Sequence, residues 1–173
     1  IKLIRSMVGD DLIIQITTEA MGIYSADEQM NMVREVRPEA ISTAIRELIP
    51  DEASECAASE VYVWAARENI SVQYIIHDRV DLARFADLRK RGVIPGDVVS
   101  VLYVLGKHGE GQNAQPSDLL EFLYSGLGAS DNCHWSICAF GPMEGACILS
   151  AISFGGHARV GMENNLYLNA KLY

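Results

Sequence analysis

The sequence has few of the features that mark membrane, secreted or nucleic-acid-binding proteins. No apolar run approaches the roughly 18 residues that span a bilayer. The start of the chain, from Ile1 to Arg5, lacks the apolar core and small-residue cleavage site of a signal peptide. Positive charge is scarce, since 14 lysines and arginines face 23 acidic residues and give a net charge of −9. We therefore expect a soluble, cytoplasmic protein that binds neither membranes nor nucleic acids.

Cysteine is scarce as well. The four cysteines are too few for a disulfide scaffold and form no CxxC pair: Cys56, Cys133, Cys138 and Cys147. We expect no thiolate zinc site and interpret the cysteines as reduced, mostly buried thiols. The chain of 173 residues is 49% hydrophobic and 21% charged, a balance typical of a globular protein. We expect residues 1–173 to form a single domain.

Short β-branched runs alternate with longer amphipathic stretches, a pattern typical of βαβ units in a parallel sheet. The predicted strands are 12–17, 40–44, 71–76, 98–105, 134–140 and 157–162. The predicted helices are the end of one at 1–7, then 25–36, 49–68, 78–91, 116–123 and 143–154. Two α/β architectures fit this order, an open doubly wound sheet and a (β/α)8 barrel. In both, functional residues gather at the carboxyl ends of the strands.

Hydroxyl side chains end the first two predicted strands. They are Thr17, Thr18, Ser42 and Thr43. Hydroxyls and nearby backbone N–H groups can bind a carboxylate. Threonine is also common in strands for its β-propensity alone, so a structural interpretation stays open.

The last predicted strand carries the densest group of reactive side chains. Alternation along a strand places His157, Arg159 and Gly161 on one face. Glu163, just past the strand, can ligate a divalent metal or act as a base. In the structural alternative, Arg159 pairs with a carboxylate and Glu163 caps the next helix.

Two further segments have a functional and a structural interpretation. His77 and Asp78 follow the third predicted strand and can form an acid/base pair, or Asp78 can simply cap the next helix. The glycine-rich stretch 106–111, with Lys107, can cradle a phosphate or form a mobile loop. Its glycine spacing fits neither a Walker A loop nor GxGxxG.

One longer block resembles a known family. Residues 155–168, GGHARVGMENNLYL, are similar to the GGHxRVGxEDNxYL block of the β-keto acid cleavage enzymes. Weaker similarities follow in the expected order at 15–18, 38–42, 91–97 and 135–141. The resemblance thus covers essentially the whole chain.

The resemblance implies a fold and an activity. The family is a zinc-dependent (β/α)8 TIM barrel that condenses a β-keto acid with acetyl-CoA, giving acetoacetate and a new CoA thioester. The six predicted strands would be strands three to eight, so the two N-terminal βα units would lie before Ile1. The family also implies a homo-oligomer.

Site residues are carried over by position. Glu163 would be one zinc ligand, while the other two, an HxH histidine pair, are expected before Ile1. Arg159 would hold charge beside the substrate as a catalytic residue. The carboxylate of the keto acid would be bound by Thr17 or Thr18 and by Ser42 or Thr43.

The chain departs from the family at the second candidate catalytic residue, Asn164. The family usually has Asp there and assigns it acid/base work, whereas an amide cannot take a proton at neutral pH. Arg46 and Glu47 also replace the small residues expected, which indicates a pocket of different size or charge. Two hypotheses follow: a β-keto acid cleavage enzyme, or a catalytically altered or non-catalytic relative that binds a small carboxylate. A flavodoxin-like binding module would instead require an open sheet with helices on both faces.

Overall fold

Six strands form the main sheet of the protein. The structure is a computed structural model that describes residues 1–20, 22–107, 113–124, 132–168 and 171–172. The strands are β1 (Gln15–Thr17), β2 (Ala40–Ala44), β3 (Ser71–Ile76), β4 (Val99–Leu105), β5 (Cys133–Ala139) and β6 (His157–Ala158). They are hydrogen-bonded in the order of the chain, and the pairs β1–β2, β4–β5 and β5–β6 are parallel.

Helices alternate with these strands, so the fold is α/β as predicted. They are α1 (Lys2–Val8), α2 (Ala26–Val36), α3 (Ile45–Leu48), α4 (Glu55–Arg67), α5 (Arg79–Lys90), α6 (Leu119–Leu123) and α7 (Glu144–Ser153). A doubly wound sheet reverses its strand order at a switch point, whereas this sheet follows the chain order throughout. The order is therefore consistent with part of a TIM barrel. None of the helices among the described residues is long and apolar enough to cross a membrane.

The chain divides into two compact units, the first comprising residues 1–74 and 87–96. A hydrophobic cluster packs strands β1 and β2 against helices α2 and α4. Its buried members are Val33, Ile41, Ala65 and Ile70, with Ile16, Met32, Trp64 and Val72 packed against them. This burial provides the main stabilisation of the unit, at about 25 cal/mol for each Å² of apolar surface removed from water.

Helix α2 begins at a capping box, as the sequence predicts. Ser25 Oγ accepts a hydrogen bond from the Glu28 backbone at 3.3 Å, and the Glu28 carboxylate accepts one from the Ser25 backbone at 2.8 Å. These backbone and side-chain hydrogen bonds from Ser25 lower the pKa of Glu28. The cap fixes where the chain turns from the end of β1 into the helix.

The second unit comprises residues 75–86 and 97–173. Strands β4 and β5 pair over seven positions, from Val99 and Cys133 to Leu105 and Ala139. On one side Tyr103 stacks on Phe122 of α6 and lies near Trp135 of β5. The ring centroids are 4.7 Å and 6.1 Å apart respectively. These buried aromatic rings hold α6 against the two strands.

Helix α7 packs a small-residue face against β5. Cys147 on this face is fully buried, and burial raises the pKa of its thiol to about 11. The negative charges of Asp118 and Glu144 raise the pKa in the same direction. Beyond α7 the chain reaches Gly156, which lies directly against the buried ring of Trp135.

Several predicted boundaries are wrong. The first strand begins at Gln15 rather than residue 12, and Ile13 is 78% exposed. The sixth strand stops at Ala158 instead of continuing to residue 162, because only two of its residues pair with β5. The short helix α3 follows β2 directly where no helix is predicted.

The cysteines are all free thiols, as predicted, but they differ in burial. Cys138 and Cys147 are buried, Cys133 is half-buried and Cys56 is exposed. Cys56 lies in the first turn of α4, within the predicted helix 49–68. Beyond β6 a separate two-stranded antiparallel ribbon pairs β7 (Tyr167–Leu168) with β8 (Lys171–Leu172).

Candidate functional site

The hydroxyl residues at the ends of β1 and β2 point to two different faces of the strands. Ile16 and Ile41 are paired in register and both pack towards the helices. Since side chains alternate along a strand, their neighbours Thr17 and Ser42, also paired in register, lie on the opposite face. In a TIM barrel this face lines the packed interior, and substrate binds at the carboxyl ends of the strands.

Three of the four hydroxyls, including that of Thr17, have contacts within the protein. Thr17 Oγ1 accepts a hydrogen bond from the Glu19 backbone N–H at 3.1 Å. Thr18 is 3% exposed, and its hydroxyl and backbone N–H both donate to the Ser42 carbonyl, at 3.3 Å and 2.9 Å. Thr43 is fully buried and lies beside the Tyr62 hydroxyl of α4. Burial raises the pKa of Tyr62, and this contact with Thr43 acts in the opposite direction. The four hydroxyls thus differ in the strand face on which they lie, and Thr17 is the one of the four that is exposed.

Glu47, one of the departures noted in the sequence, lies beside the end of β1. Its carboxylate accepts a hydrogen bond from the Ala20 backbone at 2.6 Å. The loop after β1 is therefore held to α3 by a charge-assisted hydrogen bond. This gives Glu47 a structural role next to Thr17 and Thr18.

A cavity of about 420 Å³ opens between this strand end and helix α2. Thr17 and Glu19 line it from the strand side, and Tyr24, Glu28 and Gln29 line it from the helix side. Gln29 is 4% exposed, and its side-chain oxygen has no hydrogen-bond partner within the described part of the chain. The cavity shows that Thr17 borders space large enough for a small molecule.

In the second unit, Arg159 follows β6 and lies against the end of β5. Its backbone N–H donates to the Ile137 carbonyl at 2.8 Å and one guanidinium nitrogen, Nη2, donates to Cys138 Sγ at 3.4 Å. The same Nη2 lies 3.6 Å from a Glu163 carboxylate oxygen. The Glu163 side chain is 63% exposed, so its carboxylate is open to a ligand.

Asn164 is buried, in contrast to its neighbour Glu163. It is 5% exposed, and its backbone carbonyl accepts a hydrogen bond from the Gly141 N–H at 3.0 Å. Its backbone N–H donates to the Gly161 carbonyl at 3.0 Å. The side-chain nitrogen Nδ2 has no partner among the described residues, and neither has Arg159 Nε.

The next residue, Asn165, has a different role. Its side-chain nitrogen donates to a Glu144 carboxylate oxygen at 3.0 Å, which ties the turn after β6 to the start of α7.

The loop after β4 carries the predicted phosphate cradle. Gly106 and Lys107 are described, but residues 108–112 of this prediction lie outside the described residues.

The structure resolves the alternative for Asp78 and adds a pair that the sequence analysis missed. Asp78 Oδ1 accepts hydrogen bonds from the Val80 and Asp81 backbones, both at 2.9 Å, so it caps α5. His77 instead faces Asp81, with its Nδ1 3.2 Å from the Asp81 carboxylate. Asp81 is 5% exposed and also accepts the His77 backbone N–H at 2.9 Å. The spacing of four residues between His77 and Asp81 is the signal that could have identified this pair.

The described residues do not form a zinc site by themselves. Among them, no three His, Cys, Asp or Glu side chains come close enough to share a metal ion. Zinc sites in proteins need three or four such ligands. Glu163 can supply one oxygen ligand and no more than that.

Comparison with known proteins adds one finding to this geometry. The model of the β-keto acid cleavage enzyme family matches residues 1–172. The chain belongs to the β-keto acid cleavage enzyme family. A comparison with curated protein sequences finds no significant match. Family membership confirms the resemblance drawn from residues 155–168 and assigns the chain to enzymes that act on β-keto acids.

Proposed function

We propose that this protein is a zinc-dependent β-keto acid cleavage enzyme that condenses a β-keto acid with acetyl-CoA. The C2–C3 bond of the keto acid breaks, its C1–C2 unit joins the acetyl group to give acetoacetate, and the remaining acyl group passes to CoA as a thioester. The family match over residues 1–172 carries the proposal. Zinc, acetyl-CoA and a homo-oligomeric assembly rest on the sequence resemblance.

We propose as well that the six strands are strands three to eight of a (β/α)8 barrel. The chain-ordered sheet supports this, because a TIM barrel adds each parallel strand beside the one before it. Active sites of TIM barrels lie at the carboxyl ends of the strands. The turn after β6, which holds Arg159, Glu163 and Asn164, is at such an end.

Arg159 would stabilise negative charge on the substrate. Cleavage of a carbon–carbon bond next to a carbonyl passes through an enolate, whose oxygen carries the developing charge. A partly buried guanidinium already held by Cys138 and Glu163 is suited to this, because it needs no reorganisation when the charge appears. Zinc, when bound, would polarise a carbonyl as a Lewis acid. Glu163 is proposed as one of its ligands, with the others expected outside the described residues.

In the first unit, Thr17 and Ser42 are the stronger candidates for binding the carboxylate of the keto acid. Both lie on the face opposite that of Ile16 and Ile41. Thr17 is exposed and borders the cavity together with Thr18, whereas Ser42 is 2% exposed. Thr18 and Thr43 are retained as weaker candidates, since their hydroxyls face other parts of the protein.

The test is turnover by the full-length protein with acetyl-CoA and a panel of β-keto acids, followed by mass spectrometry of acetoacetate and the new thioester. Arg159→Ala should lower turnover about 100-fold, the usual effect of removing one preorganised group at a developing oxyanion. The unfolding midpoint should fall far less. Arg34→Ala, which removes an exposed arginine on α2, is the matched control and should leave turnover unchanged. Equal losses of turnover and folding in Arg159→Ala would show a structural role instead.

One observation favours a second candidate function. Asn164 occupies the position where the family usually has an acidic residue, and an amide cannot accept the proton. A relative that binds a small carboxylate without turning it over would have the same site. Binding of β-keto acids with no thioester formed from acetyl-CoA, in zinc-loaded protein, would support this alternative.

A further inference from the structure

Two buried N–H donors after β6 have no acceptor in the described ranges of the chain. The Asn164 side chain is 5% exposed, and neither its Nδ2 nor Arg159 Nε has a partner among the described residues. Buried donors are nearly always hydrogen-bonded, because an unpaired one keeps its full desolvation penalty. Other unpaired buried atoms, such as Tyr62 Oη and Tyr103 Oη, belong to fully buried core side chains, whereas these two donors lie in one six-residue segment at the candidate site.

Both donors are held in place by the end of β5. Arg159 is fixed by hydrogen bonds to the Ile137 carbonyl and Cys138 Sγ, and the Asn164 backbone is fixed by the Gly141 N–H. The side-chain N–H of the adjacent residue, Asn165, donates a hydrogen bond to the Glu144 carboxylate. Within the described part of the chain, the Asn164 side-chain N–H therefore has no acceptor, in contrast to that of Asn165.

We propose that Asn164 Nδ2 and Arg159 Nε together hold an anionic oxygen of the bound acid, either its carboxylate or the enolate oxygen. The guanidinium and the neutral amide supply two donors, and hydrogen bonds from such donors favour an oxyanion. The Glu163 carboxylate, 3.6 Å from Arg159 Nη2, offsets part of the positive charge, and its side chain is 63% exposed. Asn164 then acts as a hydrogen-bond donor at the position where the family uses a proton acceptor. This inference rests on the proposed function, because it takes the ligand to be a β-keto acid.

The test measures binding of acetoacetate to the full-length, zinc-loaded protein by calorimetry, without acetyl-CoA. Asn164→Ala removes the donor and should weaken binding about 10-fold, and Asn164→Asp, which replaces the donor with a negative charge, should weaken it further. Asn165→Ala is the matched control. It should change binding by less than about 2-fold, because substitutions that remove no contact with the ligand have small effects. Unchanged affinity in both Asn164 variants would overturn the proposal, as would faster turnover by Asn164→Asp.

A neutral probe separates the two oxygens. Methyl acetoacetate has no carboxylate but still forms an enolate. If the pair holds the carboxylate, the ester binds weakly and equally to wild type and Asn164→Ala; if it holds the enolate oxygen, the ester keeps its dependence on Asn164. An ester and an acid that both ignore Asn164 would contradict the proposal.

Folding and function are controlled separately. Should the Asn164 variants fail to fold, the Asn164 side-chain amide signal of the wild-type protein decides, since it should shift when acetoacetate is added. Absence of a shift at saturation would overturn the inference. Acid binding that depends on Asn164 without any turnover would refute the proposed enzyme activity and leave this inference standing. Turnover together with acetoacetate binding that does not depend on Asn164 would support the enzyme activity and overturn this inference.

Discussion

Gly156 is a position at which a single added methyl group should disturb the candidate site through a clash with a buried ring. Its Cβ would come within 2.6 Å of Trp135 Cε3 and closer still to Cζ3 and Cη2, whereas carbon atoms pack at about 3.5–4.0 Å. The Trp135 ring is 6% exposed and stands beside Tyr103, so it has little room to move. Overpacking of this kind costs about 1–3 kcal/mol, and the depth of the overlap puts Gly156→Ala at about 3 kcal/mol. For a domain of this size, the midpoint of thermal unfolding should fall by about 6–12 °C.

Two other glycines serve as controls for this substitution. Gly145 lies inside α7 with nothing within 4 Å of its added Cβ, so Gly145→Ala should stabilise the helix by about 0.5–1 kcal/mol. Gly155 also has open space but adopts a φ of +82°, and Gly155→Ala should cost about 1–2 kcal/mol through backbone strain alone. In thermal and urea unfolding, Gly145→Ala should be the most stable of the three variants, Gly155→Ala intermediate and Gly156→Ala the least stable. A Gly156→Ala variant as stable as Gly145→Ala would refute the packing argument.

Three further predictions concern buried groups and the metal. Burial raises the pKa of the Cys147 thiol from an ordinary 9.0 to about 11, so the neutral thiol is favoured in the folded state. Its contribution to the free energy of unfolding is complete below pH 9 and is lost as the pH rises through 11. In thiol labelling at pH 8, exposed Cys56 should therefore react first and Cys147 only after unfolding. Glu163→Gln should lower the zinc content of the full-length protein, measured by elemental analysis, and unchanged content would remove Glu163 from the ligand set. Asp81→Asn should lower the free energy of unfolding by about 1–3 kcal/mol in urea titrations, since a buried carboxylate that accepts from His77 is lost. A change below about 0.5 kcal/mol, the range of ordinary surface substitutions, would show that the pair is not structural.

The regular elements were largely predictable because their local signals agree with the tertiary structure. Strands β2 and β3 have the predicted bounds, since both are β-branched or small runs that the sheet buries. Helix α2 begins at the predicted capping box, a purely local hydrogen-bond pattern. The predictions failed where apolar character was not matched by burial, as at Leu12 and Ile13, which are exposed although they read as strand.

The ends of the sixth strand were not predictable for a different reason. Alternation from His157 to Met162 is typical of a strand, yet ladder pairing ends at Ala158, opposite Ile137, although β5 itself continues to Ala139. Arg159 still donates its backbone N–H to Ile137, and then Gly161 turns the chain with a φ of +155°. The strand therefore ends before its neighbour does, and the alternating pattern does not reveal this.

Residues of the candidate site were recognised by motif, but the motif does not divide their roles. Thr17 and Thr18 are equivalent in the sequence. The strand register shows that Thr17 faces away from the helices, whereas the Thr18 hydroxyl donates to the Ser42 backbone carbonyl. His77 was paired with Asp78 by adjacency, while the helix geometry brings Asp81 to its ring. These distinctions depend on which face of an element meets which neighbour.

The block that reveals the family therefore contains two kinds of residue that the sequence treats alike. Gly155, Gly156 and Asn165 serve the fold, through a left-handed turn, a close approach to Trp135 and a hydrogen bond to Glu144. Asn164 and Arg159 each retain a buried donor that nothing described in the chain satisfies. Unpaired buried donors destabilise a fold, and the position of these two at the candidate site supports the ligand proposed for them. On this reasoning, exchanging Asn164 for the family's usual Asp alters which group the site binds, and it does not simply restore a missing base.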